Sequence, residues 1–257
     1  MGRLADAMSP LRQEDMLINV AATQSLAVKS ANHTPVVFDE PERFARREFM
    51  QNRVLGNQSE AHTGNRGFLT AVNQSAQSSS ARIQAAWKNY KTQVDYGIAP
   101  MDLPKVAACI DAGLPTQLYY VSFRNNAFDT HVQQPNLHRR LLSYACDGIY
   151  GFIKDLEAKG QAHRVVVMVF SEFGRRVPEN ANMGTDHGTA NVMFLAGQPV
   201  SGGHYGTKPS LTQLVDSGNL AHTTDFRTVY ATAIEHWLGV SSENIFNQKF
   251  EPLDVFA

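Results

Sequence analysis

Apolar and polar positions alternate along this chain in a way that changes character near its middle. From Arg164 to Ala196 the residues read RVVVMVFSEFGRR, then a polar loop containing GTDHG, then TANVMFLAG. The run Val165 to Phe170 is β-branched and apolar, too short for a helix, and predicts a strand covered on both faces. A second run, Val192 to Ala196, predicts a strand leading away from the loop. Upstream, Thr116 to Phe123 (TQLYYVSF) predicts another strand. Between them Leu137, Leu141, Ala145, Ile149, Ile153 and Leu156 mark a long amphipathic helix that stops near Gly160. Strand, helix and strand in this order predict a right-handed parallel crossover, which would bring Asp129 and Glu172 to one edge of a single sheet.

The remaining segments are weaker. Residues 1–30 show a faint helical pattern (Leu4, Met8, Leu11, Met16, Ile18, Val20) and no clear strand. Val36 to Phe38 predicts a short extended piece, followed by a charged, Pro-initiated helix with Phe44, Phe49 and Met50 along one edge. Gly56 to Ser80 is rich in Asn, Gln, Ser, Gly and Thr and predicts a loop, the best candidate for a lid. Helices are expected from about Ser80 to Val94, from Leu103 to Ala112 with Pro104 in its first turn and Gly113 as its stop, and from about Asp225 to Leu238. Together these predict one α/β domain over 1–257, with 1–100 as peripheral helices and loops and 101–257 as the core sheet.

Composition narrows the function classes. The 257 residues carry a formal net charge of −1, so no overall field draws the chain to nucleic acid or an acidic membrane surface. No apolar run is long enough to span a bilayer, and the opening MGRLADAMSPLRQED lacks the apolar core of a signal peptide, so as given the chain carries no export address. Localisation stays open. Cys109 and Cys146 both fall in helical patterns among apolar neighbours, which favours free thiols over a disulfide.

Ligands of open α/β sheets bind beyond the carboxyl ends of the strands, and the chemistry-bearing residues cluster at those predicted positions. Asp129 with His131, Glu172, and Asp186 with His187 mix hard oxygen donors with imidazole. That set suits a divalent ion able to polarise a phosphoryl, sulfuryl or acyl oxygen and to activate water. Each piece has an ordinary alternative: Asp-Thr-His as a capped turn, Glu172 as a loop carboxylate or a partner of Arg175, Asp-His-Gly as a turn. Arg175, beside Arg176, offers a bidentate clamp for phosphate, sulfate or carboxylate, and fits a structural ion pair equally well. Ser171 lies between Phe170 and Glu172 and lacks the glycine frame of a hydrolase elbow. His222 and Asp225 read as a helix cap, and His138, His163, His204 and His236 as surface or packing residues. The chain has no phosphate-cradling loop and no dinucleotide fingerprint.

FDTH (Phe128 to His131), SEFGRR (Ser171 to Arg176), GTDHG (Gly184 to Gly188) and TTDFR (Thr223 to Arg227) together closely resemble the bacterial family known as domain of unknown function 1501, a branch of the alkaline phosphatase and sulfatase superfamily. The resemblance runs from about Met101 to the end, and upstream through PVVFDEPERF, which looks like the middle of such proteins. It implies a three-layer αβα sandwich of alkaline-phosphatase type lacking its first strand region, where the superfamily keeps an early metal aspartate and its nucleophile. It also implies a divalent ion (zinc, manganese or calcium) held by Asp129, His131, Glu172, Asp186 and His187, with Arg175 stabilising anionic charge. The expected activity is hydrolysis of small phosphate or sulfate esters. The alternative is a non-catalytic protein that binds an anion or a partner on the same fold, with homo-oligomerisation through an exposed sheet edge compatible with either. The longer relatives are often exported.

Overall fold

The computed structural model describes residues 1–9, 11, 13–44, 78–123, 126–216 and 218–257. Most of the predicted lid, and Phe49 and Met50, lie outside the described residues. The chain is mixed α/β and divides into two compact units, one of residues 1–95 and 101–122, the other of 96–100 and 123–257.

The first unit is built on a parallel three-stranded sheet in the order β2-β1-β3, where β1 is Leu17–Val20, β2 Val36–Phe38 and β3 Leu118–Val121. In β1, Ile18 lies beside Val36 on one side and Tyr119 on the other. A strand flanked at both edges and covered on both faces needs consecutive apolar residues, and all four residues of β1 are buried. Its single polar member is satisfied: the Asn19 amide donates to the Tyr120 carbonyl at 3.4 Å, and its Oδ1 accepts from the Ser25 N–H at 2.8 Å. A strand therefore occupies the opening stretch, where the pattern predicted only weak helix. Met16, Leu17, Ile18 and Val20 form an apolar run interrupted only by Asn19, as a doubly covered strand requires; the helical period holds only further upstream, where the helix Gly2–Met8 forms.

The helix Leu103–Asp111 has Pro104 in its first turn and ends before Gly113, which takes a positive φ of 69°, as predicted. Its buried face includes Val106, Ala107 and Cys109. Burial, with the Asp15 carboxylate adding to it, pushes the Cys109 thiol up to about 12, whereas Cys146 is exposed and both are unpaired. A thiol reagent at about pH 8 is therefore expected to modify Cys146 in the folded chain and Cys109 only on denaturation. Rapid modification of both in the native state would contradict this burial.

Asp6 fastens the turn at residues 30–32. Its Oδ1 accepts from the Ser30 hydroxyl at 2.5 Å and the Asn32 N–H at 2.9 Å, and its Oδ2 accepts from the Ala31 N–H at 2.9 Å. Desolvation is the largest influence on this carboxyl and raises it, but the hydrogen bonds, led by that from Ala31, outweigh it and hold Asp6 below the usual range. Lowered on folding, the group stabilises the fold above its unfolded value and loses that contribution as pH falls through the folded one. Asp6→Ala is expected to cost about 1–2 kcal/mol at neutral pH, with the difference from wild type shrinking in acid. Denaturant titrations at both pH values check this.

The second unit carries the long helix Gln134–Ala158, which buries Leu141, Phe152 and Leu156. Within it Asp155, only 1% exposed, accepts from the Tyr96 hydroxyl at 2.9 Å. Strand β4 (Val167–Val169) pairs antiparallel with β7 (Phe194–Ala196), Met168 facing Leu195. This differs from the predicted crossover: β3 pairs with β1, β4 with β7, and the two belong to separate sheets. The excursion between β4 and β7 folds on itself through the two-residue ribbon β5 (Gly174–Arg175) and β6 (His187–Gly188). The chain thereby returns beside the strand it left, and an apolar run does not by itself name its neighbour. A further ribbon joins β8 (Leu214–Val215) to β9 (Asn219–Leu220). The last helix, Phe226–Thr232 continued by a π-helical turn Ala233–Trp237, is capped by Asp225, whose carboxylate accepts from the Arg227 N–H at 2.9 Å.

Candidate metal centre

Three side chains of the second unit converge. His187 Nε2 lies 2.6 Å and His131 Nε2 3.0 Å from Asp129 Oδ1, and the two imidazole nitrogens are 3.2 Å apart. Among the described residues this is the one group of three or more His, Cys, Asp or Glu side chains placed to hold a metal ion. Four-coordinate zinc with bonds of about 2.1 Å separates its ligands by roughly 3.4 Å. The donor atoms stand closer than that, Asp129 and His187 most of all, as hydrogen-bonded rather than ion-bridged groups do, and spreading suits them to one face of a coordination shell. The hydrogen bond from His187 is the largest influence on Asp129 and, with that from His131, holds its carboxyl below the usual range against desolvation.

Local sequence explains the convergence. Asp129 and His131 precede the long helix, and His187 sits in β6 directly across from Arg175 in β5. Phe173, one residue before β5, stacks on the His187 imidazole with centroids 3.9 Å apart and planes 7° from parallel. The Arg175 guanidinium lies 5.0 Å from the Phe173 centroid.

Three polar side chains tie the segment 128–134 to the loop 180–188. Asn180 donates to the His131 carbonyl at 3.1 Å and to Asp186 Oδ1 at 3.2 Å, while its own Oδ1 accepts from the N–H groups of Asn182 and Gly184. Gln134, buried, donates to the Thr130 carbonyl and hydroxyl, both at 3.0 Å, and accepts from the Thr185 hydroxyl at 2.7 Å. Arg175 donates from Nη1 to the Thr185 carbonyl at 2.8 Å and from Nη2 to the Phe128 carbonyl at 2.7 Å. Burial pulls this guanidinium below its ordinary value, with the carboxylates of Asp129 and Asp186 opposing. Gly184 closes the loop against the His131 backbone so tightly that a Cβ there would run into that carbonyl oxygen.

Of the five predicted ligands, then, Asp129, His131 and His187 meet. Asp186 stands one step out, its Oδ1 3.8 Å from His131 Nδ1, on the side of the ring away from Asp129. Glu172 is exposed and outside the cluster. Phe173, Asn180 and Gln134 were not singled out in the sequence. The Asn-rich loop after Pro178 was the only signal for Asn180, and Gln134 reads as an ordinary first-turn residue. The Ser171 hydroxyl donates to the Phe173 carbonyl at 2.9 Å. His138 packs edge-to-face on Phe128, and His163, His204 and His236 are exposed, matching their reading as surface or packing groups.

The sequence matches the family described as "Protein of unknown function (DUF1501)" over residues 21–249. The chain belongs to the DUF1501 family. FDTH, SEFGRR, GTDHG and TTDFR all fall inside the matched span of this DUF1501 chain, so its converging side chains belong to the family domain itself. No curated protein and no solved structure matches the chain.

Proposed function

We propose that the chain is a divalent-metal-dependent hydrolase of phosphate or sulfate esters, related to the alkaline phosphatase and sulfatase superfamily and its three-layer αβα sandwich. The observation that carries this reading is the convergence of Asp129, His131 and His187 within 3.2 Å of one another. Two imidazoles and one carboxylate favour zinc or manganese over calcium, which prefers six or more oxygen donors. Asp129 and Asp186 beside the imidazoles make the surroundings suited to a cation before an anion. A bound divalent ion supplies Lewis acidity toward the ester oxygen and acidifies water.

The chain's own residues set the limits of the chemistry. Asp129, held ionised, offers an anionic donor at neutral pH, and the Phe173 stack keeps the His187 ring oriented. The hydroxyls in the same motifs are engaged elsewhere: Thr130 and Thr185 with Gln134, and Ser171 with a backbone carbonyl. This arrangement favours water over a protein side chain as nucleophile. It also favours a second reading, a non-catalytic receptor for an anionic ligand on the same fold.

The test is turnover of generic aryl phosphates and aryl sulfates with zinc or manganese. Metal-dependent turnover that a chelator abolishes is expected. Metal binding without turnover of either ester class would favour the receptor, and no metal binding at all would overturn the hydrolase.

A further inference from the structure

Arg175 was expected to grip an anion, yet its two terminal nitrogens each donate to a backbone carbonyl. Those carbonyls lie far apart in sequence: Phe128, immediately before Asp129, and Thr185, two residues before His187. The same guanidinium lies 5.0 Å from the centroid of Phe173, the ring on which His187 stacks, and Arg175 faces His187 across the β5–β6 pair. One planar group thus touches the backbone beside one donor, the backbone leading to another, and the aromatic platform of the second. Resting on the metal reading above, we propose that Arg175 is a positioning residue that locks Asp129 and His187 into a shared coordination geometry, and is not the group that binds the substrate anion.

A guanidinium presents donors in a rigid fork and a flat face, so it can bridge two carbonyls while lying against an aromatic ring. An ammonium is a compact point donor without a face and does neither at this span. Groups that orient metal ligands through such contacts typically change metal affinity by about 10- to 100-fold when removed. A residue that only gripped the anion would leave metal affinity unchanged and weaken the inhibition by free phosphate or sulfate.

The experiment compares wild type, Arg175→Ala and Arg175→Lys without metal and with zinc. Without metal, backbone hydrogen exchange by mass spectrometry is expected to rise about tenfold or more in residues 180–188 of both variants, while the helix Gln134–Ala158 keeps its wild-type protection. Unchanged exchange in 180–188 would overturn the inference whatever zinc does, and this arm does not depend on the metal reading. With zinc, both variants are expected to bind about 10- to 100-fold more weakly than wild type, and millimolar guanidinium is expected to restore part of the affinity of Arg175→Ala, a rescue that a merely destabilised fold would not show. Wild-type zinc affinity in both variants, with weakened inhibition by phosphate, would overturn it in favour of the anion grip. A wild type that binds no zinc would sink the metal reading alone, leaving the bracing role to be decided by exchange. Should Arg175→Ala fail to fold, Arg175→Lys carries both arms.

Discussion

His187→Ala is expected to lower zinc affinity by about 100-fold or more, a loss of roughly 2.7 kcal/mol, and Asp129→Ala to do the same. Glu172→Ala should bind within about threefold of wild type. The contrast follows from position. Asp129 Oδ1 and His187 Nε2 form the shortest edge of the donor triangle, at 2.6 Å, and share His131 as third member. Removing either leaves two donors, too few to compete with solvent for a divalent ion. Glu172 is exposed and stands apart. Calorimetry with all three variants checks this; a large loss in Glu172→Ala would mean that the carboxylate swings in when the ion arrives, and intact binding in His187→Ala would remove the site.

Gly184→Val should be the most damaging single substitution in the loop. A Cβ at this position would collide with the His131 backbone carbonyl, and backbone cannot rotate away as a side-chain tip can. The loop must shift, and it carries the hydrogen bonds of Asn180 and Thr185 with it. A loss of about 2–4 kcal/mol in unfolding free energy is expected, together with a fall of about tenfold or more in zinc affinity among the molecules that remain folded. Gly202→Ala is the control: nothing lies within 4 Å of a Cβ there, and its effect should stay within about 0.5 kcal/mol. Equal stability of the two variants in thermal denaturation would show that the loop has room the geometry denies.

Much of this was legible in the residues and some was not, for identifiable reasons. The Gln134–Ala158 and Leu103–Asp111 helices follow from three- and four-residue spacing of apolar groups, and the Asp225 cap from its side-chain chemistry. Such signals are local. Strand β1 escaped because its four residues are too few to show a period of their own and merge with the helical spacing before them. The partners of β3 and β4 escaped because pairing is a relation between distant segments, absent from either one. At the candidate site, Asp129, His131 and His187 announced themselves as metal-ligand types, whereas the contacts of Asn180, Gln134 and Arg175 run to main-chain carbonyls, hydroxyls and one carboxylate that nearly any polar residue can address. Residue type points to the donors; only folding shows what aims them.

The flat stack of Phe173 on His187 has a thermodynamic consequence for any ligand. The stack restricts the imidazole in the folded protein, so an arriving ion has less left to immobilise. Phe173→Leu would keep the nitrogen and free the ring, transferring about 0.5–1.5 kcal/mol of ordering from folding to association. The aromatic side chain, which can donate nothing to a cation, thus helps set how tightly one is held.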